Sequence, residues 1–420
     1  MAGGAAVTIA GADIGAALRW GRWLDRDRVR AYAVIALAIE LFALLFVAGR
    51  TYQLYLPIDP PTSLDFISFY AAGRLVDQGT PARAYDPAVH ERTEKEIYGD
   101  QRIPYFGFYY PPVYQLLCGV LALLPFTLSY LFFVLATGLA YLSVLRRTVG
   151  DPVLVLALLA FPAVFFTALL GQDSFLTAAL FGGAILALDR RPVLAGILFA
   201  LMCYKPHFLL LVPVALIAGR YWSALVAAAV TGVVLAAVSL LILGWHDWQA
   251  FFANMALAQS VFETGRVRFY HLVNLFGAVR LLGGGIALAF AVQGGAALAS
   301  AVVTGMVWHR RAAPAIRAAT LIAATLVAMP VILFYDLLPA ALAIGWLMRD
   351  GRRQGYFPWE KTLILAMWPL ALLCRGIGEK TGIPLGWLIP FGILGLALAH
   401  FWRAGEGLPI LAAKEIGEKA

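Results

Sequence analysis

The feature that most constrains this chain is a succession of long apolar segments separated by short turns. The first runs from Ala31 to Gly49, and others follow to residue 401. With 62% hydrophobic and 13% charged residues, the chain has too little polar surface to cover itself in water. We predict an integral membrane protein of the all-α class, a single domain over residues 1–420 with about twelve transmembrane helices.

The basic residues indicate how the chain is oriented in the membrane. A net charge of +8 does not predict a nucleic-acid partner, because the basic residues lie in short clusters between apolar segments. The segment 1–30 carries five arginines between Arg19 and Arg30, directly before the first apolar run. The positive-inside rule therefore predicts that this segment is cytoplasmic, and about twelve crossings place the tail 403–420 on the same side. We expect the protein in the bacterial inner membrane.

Two polar stretches, residues 51–112 and 245–271, are predicted to be outer loops. The first has eight acids from Asp59 to Asp100 against five bases from Arg74 to Arg102. Phe66, Phe69, Tyr70 and Gly73 recur at helical spacing, which predicts an interfacial helix with Asp65 as its N-cap. In the second loop, Phe251, Met255 and Phe262 form a similar stripe, with Asn254 off it, and predict another interfacial helix.

A second helix of the first loop is predicted by its end signals. Asp86 is followed by Pro87, which suits the first helical position, and Gly99 closes a charged run. This helix is too polar to enter lipid, so we expect it at the surface, where it would roof a cavity. The long apolar stretch from Pro111 to Arg147, with Pro125 near its middle, predicts one kinked crossing with an extramembrane part.

Ionisable residues near the outer ends of the apolar segments are candidates for function, because a charge at membrane depth is costly. They are Asp65, Asp173, Lys205, His207, Arg266, Arg268, His271, Asp336 and Arg375. A few acids among several cations suit transfer from an anionic lipid donor. The cysteines Cys118, Cys203 and Cys374 lie too far apart to suggest a disulfide framework or a metal knuckle.

Transfer from a donor that carries a lipid phosphate requires few catalytic side chains. A departing phosphate is already stabilised as an anion, so it needs cations more than a general acid, and one carboxylate suffices to take the acceptor proton. Asp65 is the predicted base. The predicted phosphate-binding residues are Lys205, His207, Arg266, Arg268 and His271. The predicted substrate cavity is lined by Tyr70, Tyr109, Tyr110, Gln172, Asp173, Tyr335 and Asp336.

Each of these residues also has an interpretation without function. Asp65 and Asp173 could be ordinary helix N-caps, and Lys205 could extend to the membrane interface. Asp336 could pair with a buried cation. Tyr109 and Tyr110, which precede Pro111 and Pro112, could belong to an aromatic belt instead of a wall for sugar or isoprenoid.

Several segments together carry a family resemblance: DFISFYAAGRLVDQGTPARAYD, FYYPP, GQDSFLTAAL, AGILFALMCYKPHFLLLVP, LVNLFGAVRLLGG and MPVILFYDLLPAALAI. In their order and spacing they resemble glycosyltransferase family 87, which includes polyprenol-phosphate-mannose-dependent α-mannosyltransferases. The resemblance implies a GT-C fold, a lipid-phosphate sugar donor, a lipid-linked or glycan acceptor, and catalysis without a metal or other cofactor.

The resemblance also implies roles for single residues. Asp65 matches the family's first-loop aspartate, Lys205 and Pro206 match its KP pair, and Asp336 matches its late outer position. Where relatives often carry Trp and His near that position, this chain has Phe334, Tyr335 and Asp336.

Two functions of other classes remain open at this point. A lipid or sugar transporter would share the many spans and buried charges, although a carrier does not need a large, acid-bearing outer loop. A scaffold without activity would tolerate the loss of Asp65 and Lys205.

Overall fold

The computed structural model describes residues 14–51 and 65–406. Parts of three predicted regions lie outside these residues: the beginning of the basic segment, the beginning of the first outer loop, and most of the predicted cytoplasmic tail. Within the described residues the fold is helical throughout, and the extended segments meet at one isolated antiparallel bridge between Leu272 and Leu333. The all-α prediction is confirmed.

The helices follow one another with short connections. Residues 14–20 form α1. The others are α2 Arg26–Thr51, α3 Phe66–Asp77, α4 Pro87–Tyr98, α5 Pro112–Ala122, α6 Phe126–Val149, α7 Pro152–Leu159, α8 Pro162–Leu170, α9 Ser174–Ala187, α10 Pro192–Ala200, α11 Val212–Ala218, α12 Trp222–Leu243, α13 Trp245–Glu263, α14 Leu275–Leu281, α15 Ile286–His309, α16 Pro314–Ala328, α17 Leu338–Gln354, α18 Glu360–Thr381 and α19 Leu388–Glu406.

Five of the described helices are long and apolar enough to cross a membrane: α2, α6, α12, α15 and α18. A sixth crossing results if α7 and α8, which meet at an angle of 56°, form one broken span. Six other apolar segments are shorter, including α9, α16 and α19. A membrane helical protein is therefore confirmed, whereas the count of about twelve crossings stays a prediction.

The stretch from Pro111 to Arg147 is divided more sharply than expected. The chain leaves α5 at Ala122 and begins α6 after Pro125, and only α6 has the length of a crossing. A proline has no backbone N–H to donate and its ring clashes with a preceding turn, so a helix breaks there. Helix α5 packs instead on α3: a Cβ on Gly73 would lie 2.1 Å from the carbonyl oxygen of Cys118.

The first loop forms a packed layer of its own. Helix α4 has the predicted bounds, since Asp86 Oδ1 accepts from the Ala88 and Val89 amides at 2.9 and 3.3 Å and Gly99 is left-handed. Helix α3 also forms as predicted but is buried on nearly every side, including Ser68. The interfacial interpretation of α3 is therefore wrong, because α4, α5 and α6 enclose it.

The second loop packs against this layer through polar contacts. Asn254 on α13 is buried and donates to the Phe108 carbonyl at 3.2 Å, while Gln115 on α5 donates to Asp247 at 3.3 Å. Met255 is exposed instead. The predicted stripe of α13 therefore divides: Phe251 packs against the first-loop layer, whereas Met255 faces away from the protein. The interfacial placement of this helix stays a prediction. The two predicted outer loops therefore pack together in one layer.

Candidate active site

The turn at residues 171–174 joins two groups of predicted site residues. Gln172 Nε2 donates to Asp65 Oδ2 at 2.7 Å, and the next residue, Asp173, places Oδ1 at 2.6 Å from Lys205 Nζ. Gly171 ends α8 at φ 67°, where a Cβ would lie 2.7 Å from Phe66 Cβ. Only glycine suits this close approach and this left-handed backbone.

Lys205 lies between two buried carboxylates. Its Nζ is also 2.8 Å from Asp336 Oδ1. Each of the three residues is at most 5% exposed. The Lys205 Nζ is also 5.8 to 5.9 Å from the ring centres of Tyr110, Phe208 and Tyr335. Two carboxylates and one ammonium leave a formal charge of −1, so the ammonium is already neutralised before any ligand arrives.

These contacts decide several of the alternative interpretations. Asp336 pairs with a buried cation, as its non-functional interpretation held. Lys205 does not extend to an interface, because it is buried within this cluster. Neither Asp65 nor Asp173 makes a side-chain cap hydrogen bond, although each precedes a helix. Their carboxylates are committed to tertiary partners instead.

The surroundings of Asp65 change the pKa of its carboxyl group. Its carboxylate is partly buried, and burial raises the pKa of Asp65 to about 6, while the Gln172 hydrogen bond and the charge of Arg375 act in the opposite direction. Burial raises the pKa of Tyr335, and the nearby charges of Asp336, Asp65 and Asp173 raise it further. A base whose pKa lies just below neutral pH is ionised and still accepts a proton readily.

Two extended segments bring the end of the second loop to this cluster. Val273 N donates to the Ile332 carbonyl at 3.0 Å, beside the Leu272–Leu333 bridge. Asn274 caps α14 through Gly277 N and donates to the Pro330 carbonyl at 2.6 Å. His271 is thereby held beside Phe334, with ring centres 6.2 Å apart.

Arg375 was not assigned to phosphate binding from the sequence. Its guanidinium lies 5.6 Å from the Phe334 ring centre and acts electrostatically on both Asp65 and His271. The residue is exposed on α18. The sequence did make Arg375 a candidate, because a charged residue within an apolar segment is costly and such residues are often functional.

The structure separates the residues predicted to hold phosphate. Lys205 is neutralised by carboxylates, and burial followed by the charge of Arg375 lowers the pKa of His271 to about 4, so this imidazole is neutral at pH 7. Arg266 is exposed and acts on Tyr109, and Arg268 is exposed. His207 is half-buried against Phe208, with ring centres 5.3 Å apart.

The predicted aromatic wall is also divided. Tyr110 stacks on Tyr114 at 4.6 Å between ring centres, next to Lys205. Tyr109 packs at 6.4 Å from Phe262 on α13. Tyr70 points elsewhere, because its hydroxyl donates to the Leu124 carbonyl at 2.7 Å. Tyr110 and Tyr335 therefore adjoin the charged cluster, whereas Tyr70 supports the packing of the first loop.

A buried pair that sequence analysis missed supports the helix after Asp65. His90 Nε2 lies 3.1 Å from the Ser68 carbonyl and Nδ1 lies 3.5 Å from Glu94 Oε1, while Glu94 Oε2 accepts from Phe106 N at 3.1 Å. Burial lowers the pKa of His90 to about 4 and raises that of Glu94 to about 9, so both are neutral at pH 7. The i, i+4 spacing within α4 was the available signal.

Among the described residues, no group of three or more His, Cys, Asp and Glu side chains is arranged to hold a metal ion. The arrangement therefore offers one partly buried carboxylate, a buried ion cluster, aromatic rings and an arginine. These are groups that can take a proton from a hydroxyl and attract an anion.

Comparison with known proteins identifies the family. The sequence model of glycosyltransferase family 87 matches residues 108–334, just over half of the chain, which includes Gln172, Asp173 and Lys205. Asp65, Asp336 and Arg375 lie outside the matched range. No curated protein and no solved structure matches the chain. The chain belongs to glycosyltransferase family 87 and is a membrane glycosyltransferase.

Proposed function

We propose that this protein transfers a sugar, mannose or another hexose or pentose, from a polyprenyl-phosphate donor to a lipid-linked or envelope glycan acceptor. The reaction takes place at the outer face of the cytoplasmic membrane, in a GT-C bundle of about twelve crossings in which the shorter apolar helices complete the spans. Asp65 is the general base of a single inverting displacement.

The geometry of Asp65 is the observation that carries this proposal. The carboxylate is oriented by Gln172 at 2.7 Å, has a pKa raised to about 6, and lies near Tyr335. The Asp173–Lys205–Asp336 cluster holds the turn that carries Gln172. Lys205 is thus a positioning residue, because it acts on Asp65 through this turn.

The chemical step is balanced with these groups alone. The acceptor hydroxyl oxygen attacks the anomeric carbon, and the bond from that carbon to the phosphate oxygen breaks. Asp65 takes the hydroxyl proton, and polyprenyl phosphate leaves with the bonding electron pair. Attack opposite the leaving group inverts the anomeric centre. No metal or other cofactor is required for this balance.

Arg375 is the proposed cation for the departing phosphate, in place of Lys205. It is near Asp65 and exposed, whereas Lys205 is surrounded by carboxylates. His271, being neutral, can add one hydrogen bond from beside Phe334. Arg266 and Arg268 are exposed in the second outer loop, where they attract the anionic donor towards the site.

The test is Asp65→Asn in purified protein supplied with polyprenyl-phosphate-mannose and a lipid-linked acceptor. Loss of a general base predicts a rate about 10²- to 10⁴-fold lower, while the folded protein is retained because a buried charge is removed. Asp77→Asn, an exposed aspartate of the same helix, is the matched control and is expected to keep full activity.

Full transfer activity in Asp65→Asn would refute the assignment of the base. Movement of the intact donor across reconstituted vesicles, with the sugar–phosphate bond unbroken in wild-type protein, would instead support a transporter. Both outcomes are distinguishable by following a label in the sugar and a second label in the lipid.

A further inference from the structure

A cavity lies at the end of the molecule opposite Asp65, and the proposed reaction does not use it. It has a volume of about 470 Å³ and is lined by residues of α2, α7, the end of α17 and α18. Helix α7 begins beside it at Pro152, and α7 and α8 lead from there to the Gln172 turn at the other end. The two sites are therefore separated by the combined length of α7 and α8.

One end of this cavity is charged. Its lining includes Arg26, Arg352 and Lys361 together with Asp25 and Asp151. Asp151 Oδ2 accepts from Arg26 Nη1 at 2.9 Å and also from Arg352 Nη1. Three cations face two carboxylates, so the formal charge is +1.

Lys361 supplies the excess positive charge. Among the described residues it makes no ion pair, and its Nζ lies 4.9 Å from the Tyr356 ring centre. Thr362, the next residue, donates to the Leu18 carbonyl at 2.6 Å, which fixes the start of α18 against α1. The ammonium is thus held at the cavity by packing, without a carboxylate to neutralise it.

The rest of the cavity is apolar and extends along the helices. Ala33 and Ala36 from α2, Leu154 and Ala157 from α7, and Trp368 from α18 line it. From Arg26 to Ala36 the helix rises about 15 Å. That depth is half of a hydrocarbon core of about 30 Å, which is the thickness of one leaflet.

The cavity lies beside a helix that can cross a membrane. Helix α2 is long and apolar enough to cross a membrane, and few of its residues are buried inside the protein. Tyr32, which lines the cavity, is itself exposed. A molecule can therefore enter with its polar end at the cations and its apolar part between α2, α7 and α18.

We propose that this cavity binds one anionic glycerophospholipid, with its phosphate at Lys361 and Arg352 and one acyl chain along the apolar slot. A monoanionic phosphodiester matches the single excess positive charge, and basic pockets between transmembrane helices on the arginine-rich side suit such headgroups. The inference is independent of the proposed reaction, because it uses none of the residues near Asp65.

Native mass spectrometry of the purified full chain tests the proposal, with phosphatidylglycerol and phosphatidylcholine as probes. We expect preferential retention of phosphatidylglycerol, weakened about tenfold in Lys361→Gln. Ala157→Phe, which fills the slot without a change of charge, should reduce retention too. Arg353→Gln, an exposed arginine next to Arg352 that does not line this cavity, should leave retention unchanged.

A photoactivatable phosphatidylglycerol with its reactive group in the acyl chain provides a test on unmodified protein. Cross-links to peptides of α2, α7 and α18 are expected. Equal retention of the two phospholipids, unchanged binding in Lys361→Gln, labelling confined to other helices, or displacement by polyprenyl phosphate with higher affinity would each overturn the proposal.

Discussion

Two buried charge clusters lie near opposite ends of α17, and their comparison contrasts the proposed active site with a purely structural cluster. Asp336 precedes the helix and Asp350 lies in its last turns, about 20 Å further along its axis. In the first cluster Lys205 lies between Asp173 and Asp336. In the second, His400 lies between Asp350 and Glu360, at 2.9 and 2.8 Å.

The clusters differ in how completely their hydrogen bonds are made. In the second, Gln354 donates to Asp350 Oδ1 and Phe357 N to Glu360 Oε2, so each carboxylate oxygen has a partner. In the first, Asp173 Oδ2 and Gln172 Oε1 are buried and accept no hydrogen bond from the described residues. A ligand hydroxyl can satisfy such groups, whereas the second cluster is closed and joins α17, α18 and α19.

The largest expected effect is that of Lys205→Met. It leaves two carboxylates without their cation, and breaking a buried pair costs about 3–5 kcal/mol. We expect thermal unfolding at a lower temperature and no detectable transfer. Adding Asp173→Asn and Asp336→Asn removes the uncompensated charges, so stability should return while activity does not. Recovery of activity in the triple variant would show that the cluster does not position Asp65.

Arg375→Gln tests the proposed phosphate cation. A hydrogen bond to a charged group contributes about 1.5–3 kcal/mol, so the KM for the donor should rise about 10- to 150-fold with a smaller change in kcat. Lys380→Gln, an exposed cation further along α18, is the matched control. An unchanged KM for the donor in Arg375→Gln would show that another cation binds the phosphate.

The pH dependence of transfer should report the protonation state of Asp65, which lies beside the first cluster. Because burial raises its pKa to about 6, the base becomes protonated as the pH falls through that value. Below it, kcat/KM should fall about tenfold per pH unit. Donor binding measured over the same range controls for titration of the phosphate. A flat profile between pH 5 and pH 7 argues against Asp65 as the base; these limits are about one unit either side of its pKa.

The smallest effect on activity is expected at the closed cluster. His400→Gln removes the group that can donate to both carboxylates, so stability should fall by about 3–5 kcal/mol. Transfer per folded molecule should stay within about twofold of wild type, because a surface or structural change away from the site leaves the chemistry intact. A specific loss of kcat without destabilisation would show that this end is coupled to the reaction.

The sequence alone predicted those features that depend on neighbouring residues or on long apolar runs. Asp86, Pro87 and Gly99 set the ends of α4 because capping and backbone conformation depend on near neighbours. Runs of apolar residues identified a membrane helical protein, and ordered motifs identified glycosyltransferase family 87. Asp173 and Lys205, both predicted near outer ends of apolar segments, do come together in the structure.

Tertiary structure decided what each charge does. Lys205 was expected to hold phosphate, but folding puts two carboxylates within 2.8 Å of its ammonium. Asp65 was expected to cap a helix, yet Gln172, more than a hundred residues away, takes its carboxylate. Arg375 became a candidate for the phosphate only when α18 packed beside the second loop. Hydrogen bonds and ion pairs act over a few ångströms, so partners distant in the chain become visible only after it folds.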